Sequence, residues 1–96
     1  MISKLNLNNK VYTITEKKLK KNNGYVRNDK LDIKINIELP YNGQVSVLYH
    51  ELVHAMLDNS GLTHMLKPKL EEAICNAIGN GIADLISNNK ELPKYE

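Results

Sequence analysis

An α+β fold, with a short twisted and mainly antiparallel sheet packed against two principal helices, follows from three features of the sequence. Leu31, Ile33, Ile35, Ile37 and Leu39 alternate with Asp32, Lys34, Asn36 and Glu38, the period-two pattern of a half-buried strand. Val45, Leu48, Leu52, Val53 and Met56 recur at helical spacing through residues 44–58. Behind Pro68, Leu70, Ala73, Ile74, Ala77, Ile78, Ile82, Leu85 and Ile86 form a second, longer helical stripe. A chain of 96 residues holds one domain, 1–96, with one modest core. It has neither Trp nor Phe, so Leu, Ile, Val and the five Tyr must fill that core.

Taken in order, Val11-Tyr12-Thr13-Ile14-Thr15 is β-branched and reads as a strand. Residues 16–21 have few apolar anchors and are compatible with a helical turn or an exposed continuation. Asn22-Asn23-Gly24 signals a turn, Tyr25-Val26 begins a second extended piece, and Asn28-Asp29-Lys30 turns it back. The strand over 31–39 has a charged outer face, as suits a sheet edge. Pro40 and Gly43 end it. The helix through 44–58 stops at Asn59-Ser60-Gly61, where Gly61 can take the left-handed cap. After a connection over 62–67, Pro68 stands where a helix tolerates proline best. Gly79 and Gly81 inside this helix weaken it by about 1 kcal/mol each against Ala, which close packing on a neighbouring helix would justify. Residues 88–96 read as a loose polar tail.

Composition narrows the class. The net charge is +2, but residues 1–34 carry nine Lys/Arg against three acids, and residues 35–96 carry four against eight. The basic half lacks interleaved aromatics and any nucleic-acid motif, so a solvated surface is the expectation and nucleic acid an unlikely partner. The lone Cys75 has no internal disulfide partner and sits among apolar helical neighbours, pointing to a buried structural thiol. The first residues lack the apolar run of a signal peptide, and no stretch approaches the ~20 apolar residues of a membrane span. A soluble cytoplasmic protein is therefore expected.

The chemistry centres on His50-Glu51-Leu52-Val53-His54. Histidines four apart on a helix project from one face, and two imidazoles one turn apart can grip a metal ion, most often zinc at about 2.0–2.1 Å. Glu51 can reach a metal-activated water without being a ligand. An open zinc site needs a third protein ligand, for which His64, Glu71 and Glu72 are candidates. Helical geometry favours Glu72, which shares a face with Asn76, Gly79 and Ala83 and can approach the histidine helix closely. Asn76 can then hydrogen-bond a ligand imidazole and fix its tautomer. His64, or one of Tyr41, Tyr49 and Tyr95, can polarise a carbonyl oxygen; His64 is the first choice from its place between the two helices.

His50 to Asp58 followed by Glu72-Ala73-Ile74-Cys75-Asn76 resembles the gluzincin signature of thermolysin-like enzymes. In that family a ligand Glu on a following helix precedes by four residues an Asp that orients a histidine; here Asn76 stands in its place, keeping an acceptor and losing the charge. Among these enzymes the chain is most similar to the small ImmA/IrrE-type and phage-encoded metallopeptidases, over roughly residues 25–86, without the helix-turn-helix unit that often accompanies them. The metzincin pattern fails at Leu57 and Ser60. The resemblance implies a minimal zincin-like fold and zinc-dependent peptide-bond hydrolysis. His50, His54 and Glu72 would hold Zn²⁺, Glu51 would be the general base, and a protein or peptide the substrate. An extended peptide would add to the edge strand over 31–39. The alternative is a non-catalytic, zinc-stabilised module binding protein or nucleic acid. A fourth ligand such as His64 would close the coordination sphere and mark that alternative.

Overall fold

The computed structural model describes residues 3–89 and 91. The elements run β1 (Lys4–Leu7), β2 (Lys10–Lys17), β3 (Gly24–Arg27), β4 (Asp32–Asn36), α1 (Tyr41–Asn59), a short 3-10 turn (Leu62–Met65) and α2 (Pro68–Asn88). The sheet order is β1-β2-β4-β3. β1 with β2 and β3 with β4 are antiparallel, and β2 with β4 is parallel. The fold is thus α+β as expected, on a mixed sheet. The parallel pair arises because the chain leaves β2, runs out to the far edge as β3, and returns as β4 between them.

β1 escapes the sequence reading. Its apolar content is Leu5 and Leu7 alone, and its real signal is the turn: Asn8 and Asn9 have φ of 53° and 62°. Two consecutive left-handed residues make the tight hairpin turn whose twist matches its strands, and Asn tolerates that conformation well. Leu7 consequently pairs with Lys10.

The strand expected over 31–39 is shorter, and it is not an edge. Leu31 is left-handed, with φ of 52°. Beyond Asn36 the chain turns, because the Asn36 Oδ1 accepts hydrogen bonds from the backbone of Glu38 and Leu19. Ile33 and Ile35 are fully buried, and β4 lies between β2 and β3. Alternation reports which face is buried; it carries no information about neighbours within the sheet. The free edge beside α1 belongs to β3.

α1 begins three residues before the expected 44, with Pro40 as an extended N-cap. The Gln44 amide donates to the carbonyls of Ile37 and Leu39 and ties the turn to the helix start. Gly61 takes the expected left-handed conformation at φ 81°. The core lies between sheet and helix: Tyr12, Ile14, Ile33 and Ile35 against Leu48, Leu52 and Ala55. At its end, Asn59 donates to the Tyr12 hydroxyl at 3.0 Å and to Asn8 at 3.2 Å. It also accepts from Lys10 at 3.1 Å, so one amide links α1 to the first hairpin. Asn59→Ala should lower stability by about 1–2 kcal/mol, because it leaves the buried tyrosine's hydroxyl without this partner. A urea midpoint that falls with unchanged slope would show it.

α2 packs chiefly on α1, forming a third layer behind it. Its contact residues are Cys75, Gly79 and Ala83, all buried. Much of the expected apolar stripe therefore stays uncovered: Leu70, Ile78 and Leu85 are 52%, 47% and 53% exposed. Of the two internal glycines only Gly79 has the expected packing reason. A Cβ there would lie 2.7 Å from the backbone N and Cα of His50, whereas Gly81 has no neighbour within 4 Å. No helix among the described residues is long and apolar enough to cross a membrane. The tail expected over 88–96 lies largely outside the described residues.

Candidate metal centre

α1 delivers His50 and His54 to one face, one turn apart, with ring centroids 4.9 Å apart. Glu72 reaches them from the second turn of α2. Gly79, two turns further along, lets that helix approach the backbone of His50. Three side chains meet. His50 Nε2 is 2.8 Å from Glu72 Oε1, His54 Nε2 is 3.0 Å from Glu72 Oε2, and the two Nε2 atoms are 3.2 Å apart.

Those separations fit the edges of a coordination polyhedron. With bonds of about 2.0–2.1 Å and tetrahedral angles, neighbouring ligand atoms lie roughly 3.3 Å apart. Proton accounting leads the same way. His54 Nδ1 lies 2.7 Å from Glu71 Oε2, so this nitrogen carries a proton. Its Nε2 and the Nε2 of His50 both face Glu72 and each other. Without a cation these contacts need protons shared among three polar groups packed within 3.2 Å of one another. One divalent ion would instead take up the lone pairs of both Nε2 atoms. His50, His54 and Glu72 could therefore hold a metal.

Glu71 departs from the sequence reading. It stands outside the His50–His54–Glu72 group, and its partly buried carboxylate, 2.7 Å from His54 Nδ1, holds the tautomer of that ring. That is the task expected of Asn76, which forms no hydrogen bond to either imidazole and stands exposed on the wall of the cleft. Helix periodicity explains the exchange. Cys75 and Gly79, rather than Asn76, define the buried line of α2, so Glu71 swings inward and Asn76 outward. Glu71→Ala should weaken metal binding about 10–100-fold, the usual penalty for losing an imidazole's orienting carboxylate, whereas Asn76→Ala should leave it nearly unchanged. Competition with a chromophoric chelator would read both.

His64 is not brought to the centre. It is exposed on the 3-10 turn and lines neither half of the cleft. Tyr41 is 71% exposed and Tyr49 packs against the core. Tyr95 lies outside the described residues. A second group, His54, Glu71 and Cys75, also clusters. There burial, then the negative charges of Glu71, Glu72 and Glu51, pushes the Cys75 thiol up to about 12 in the absence of a cation.

Glu51 is buried, and its Oε2 lies 4.0 Å from His50 Nε2. That distance is too long for a shared ligand and short enough for one intervening water. Burial raises its pKa to about 7, with His54 opposing and Glu72 reinforcing the shift. That value belongs to the metal-free protein; a cation at the histidines would favour the ionised form, the one able to accept a proton.

The centre opens into a cleft between β3 and α2. One half, about 530 Å³, runs past Gly24, Ser46, Val47 and Asn80. The other runs past Tyr25, Val26, Asn28 and Thr63, and both share His50, Glu51 and Glu72. Asn23 O accepts from Asn36 N at 2.8 Å. By antiparallel alternation Tyr25 and Arg27 also pair inward, so the peptide groups of Gly24 and Val26 face the open edge. Nothing in the sequence pattern marked β3 as this edge.

Comparison with family models, with curated proteins and with solved structures finds no match to this chain.

Proposed function

We propose that the protein is a zinc-dependent metallopeptidase of the gluzincin type, similar to the small ImmA/IrrE-type and phage-encoded enzymes. The observation that carries this reading is the convergence of His50, His54 and Glu72 beside the buried carboxylate of Glu51. A divalent ion held there would acidify water and polarise the scissile carbonyl. Glu51 takes the proton from the attacking water and hands it to the leaving amine. Glu71 holds His54 with its Nε2 lone pair toward the centre throughout. The bond broken lies within an extended peptide that adds to β3 through the peptide groups of Gly24 and Val26.

The competing reading, a zinc-stapled binding module, needs a closed coordination sphere. His64 stands away from the cluster, and the Glu72 side chain is 54% exposed, which favours an open position facing the cleft. The test is elemental analysis combined with cleavage of an unstructured protein. One zinc per chain is expected, with proteolysis lost on chelation and restored by zinc. Stoichiometric zinc without cleavage of any unfolded substrate would favour the module; protein that takes up no divalent ion would remove both readings.

A further inference from the structure

Among the described residues, nothing covers the side of α2 away from the cleft. Helical spacing puts Leu70, Ile74, Ile78, Gly81 and Leu85 on one face, roughly opposite Glu72, Asn76 and Asn80. Leu70, Ile78 and Leu85 are about half exposed, and Ala73 and Ala77 beside them are exposed. Gly81 sits in the midst of this face, in a helix interior where glycine is unfavourable. It has open space beside it and an ordinary right-handed backbone, so neither packing on the other described residues nor turn geometry accounts for it.

We infer that two copies of this chain associate through α2, antiparallel, about a two-fold axis passing between Ala77 and Ile78. That register is self-complementary, as a two-fold interface must be. It sets Leu70 of each copy against Leu85 of the other and Ala77 against Ile78. It also drops Ile74 into the gap left by Gly81, a large residue against the smallest, which accounts for a glycine the single chain does not need.

Charge along the helix agrees. α2 begins with Lys67 and Lys69 and has no basic residue in its last turn, where Asp84 stands nearby. Glu71 and Glu72, the acids near its start, both turn to the histidines, which leaves the two lysines as the charges on the remaining surface there. Antiparallel copies place each basic start beside the other's acidic end. Both clefts stay open, because Glu72, Asn76 and Asn80 face away from the axis. A surface of one helix face lies at the low end for specific association, about 1,000–1,200 Å² in total, so a weak, concentration-dependent dimer is expected.

Sedimentation equilibrium of the full chain tests this across concentration. A monomer–dimer equilibrium with a dissociation constant of about 1–100 μM is expected. Gly81→Leu, which fills the gap while favouring the helix, should raise that constant at least tenfold with helix content by circular dichroism preserved. Ile78→Glu should do the same. A chain that stays monomeric at several hundred micromolar overturns the inference. So does a dimer indifferent to both substitutions, or a mass that grows past two copies. None of these outcomes depends on zinc or on cleavage, so the inference can fail while the enzymatic reading stands, and the reverse.

Discussion

Glu51→Gln is expected to leave the zinc content unchanged and to lower peptide cleavage about 10²–10⁴-fold, the range that a positioned general base contributes. The side chains are nearly isosteric, and Glu51 Oε2 lies 4.0 Å from the nearest imidazole nitrogen, so the substitution removes a base without disturbing a ligand. His54→Ala or Glu72→Ala should instead lose both metal and cleavage. A Glu51→Gln variant that cleaves like the wild type would show that proton transfer belongs to another group.

The same carboxyl gives a signature in the metal-free protein. Its pKa is raised from 4.5 in the unfolded chain to about 7 by burial. Between those values the folded chain holds a proton that the unfolded chain releases. The contribution is fully present below pH 4.5 and is lost as pH rises through about 7. Chelated wild type should therefore be less stable at pH 8 than at pH 5, and Glu51→Gln should flatten that part of the slope. Zinc should reverse the trend, since a nearby cation favours the ionised carboxylate. Urea midpoints at the two pH values, with chelator and with zinc, would show this.

Local relations were legible in the sequence and relations between elements were not. His50 and His54 share a face because four residues make about one helical turn, whatever surrounds the helix. Pro68 and Gly61 act at helix ends for equally local reasons. The exchange of roles between Glu71 and Asn76 needs the rotation of α2 about its axis, which contact with α1 sets. The identity of the edge strand needs the pairing order, and the parallel β2–β4 contact joins residues separated by a whole hairpin. The apolar positions of α2 follow helical spacing, but periodicity does not say that Cys75, Gly79 and Ala83 take the contact while Leu70, Ile78 and Leu85 stay exposed.

That rotation rests on Gly79, and Gly79→Ala should be costly in two measurements at once. The added methyl would stand 2.7 Å from both the N and Cα of His50 and 3.1 Å from the carbonyl carbon of Tyr49. These are backbone atoms, so no rotamer change relieves the contact and the helices must separate. Alanine's helix preference offers up to about 1 kcal/mol in return. Overpacking a tight contact typically costs about 1–3 kcal/mol, and one against rigid backbone belongs at the upper end, so the clash should win. A net loss of about 1–2 kcal/mol would lower the melting temperature by roughly 4–16 °C in a domain of this size. Because Glu72 rides on the same helix two turns away, its carboxylate should also withdraw from the imidazoles and weaken zinc binding more than tenfold. Gly81→Ala, measured on the monomer, is the matched control: it adds the same methyl where nothing lies within 4 Å and should raise stability. If both variants behaved alike, the close approach at His50 would not be what holds Glu72 against the histidine pair.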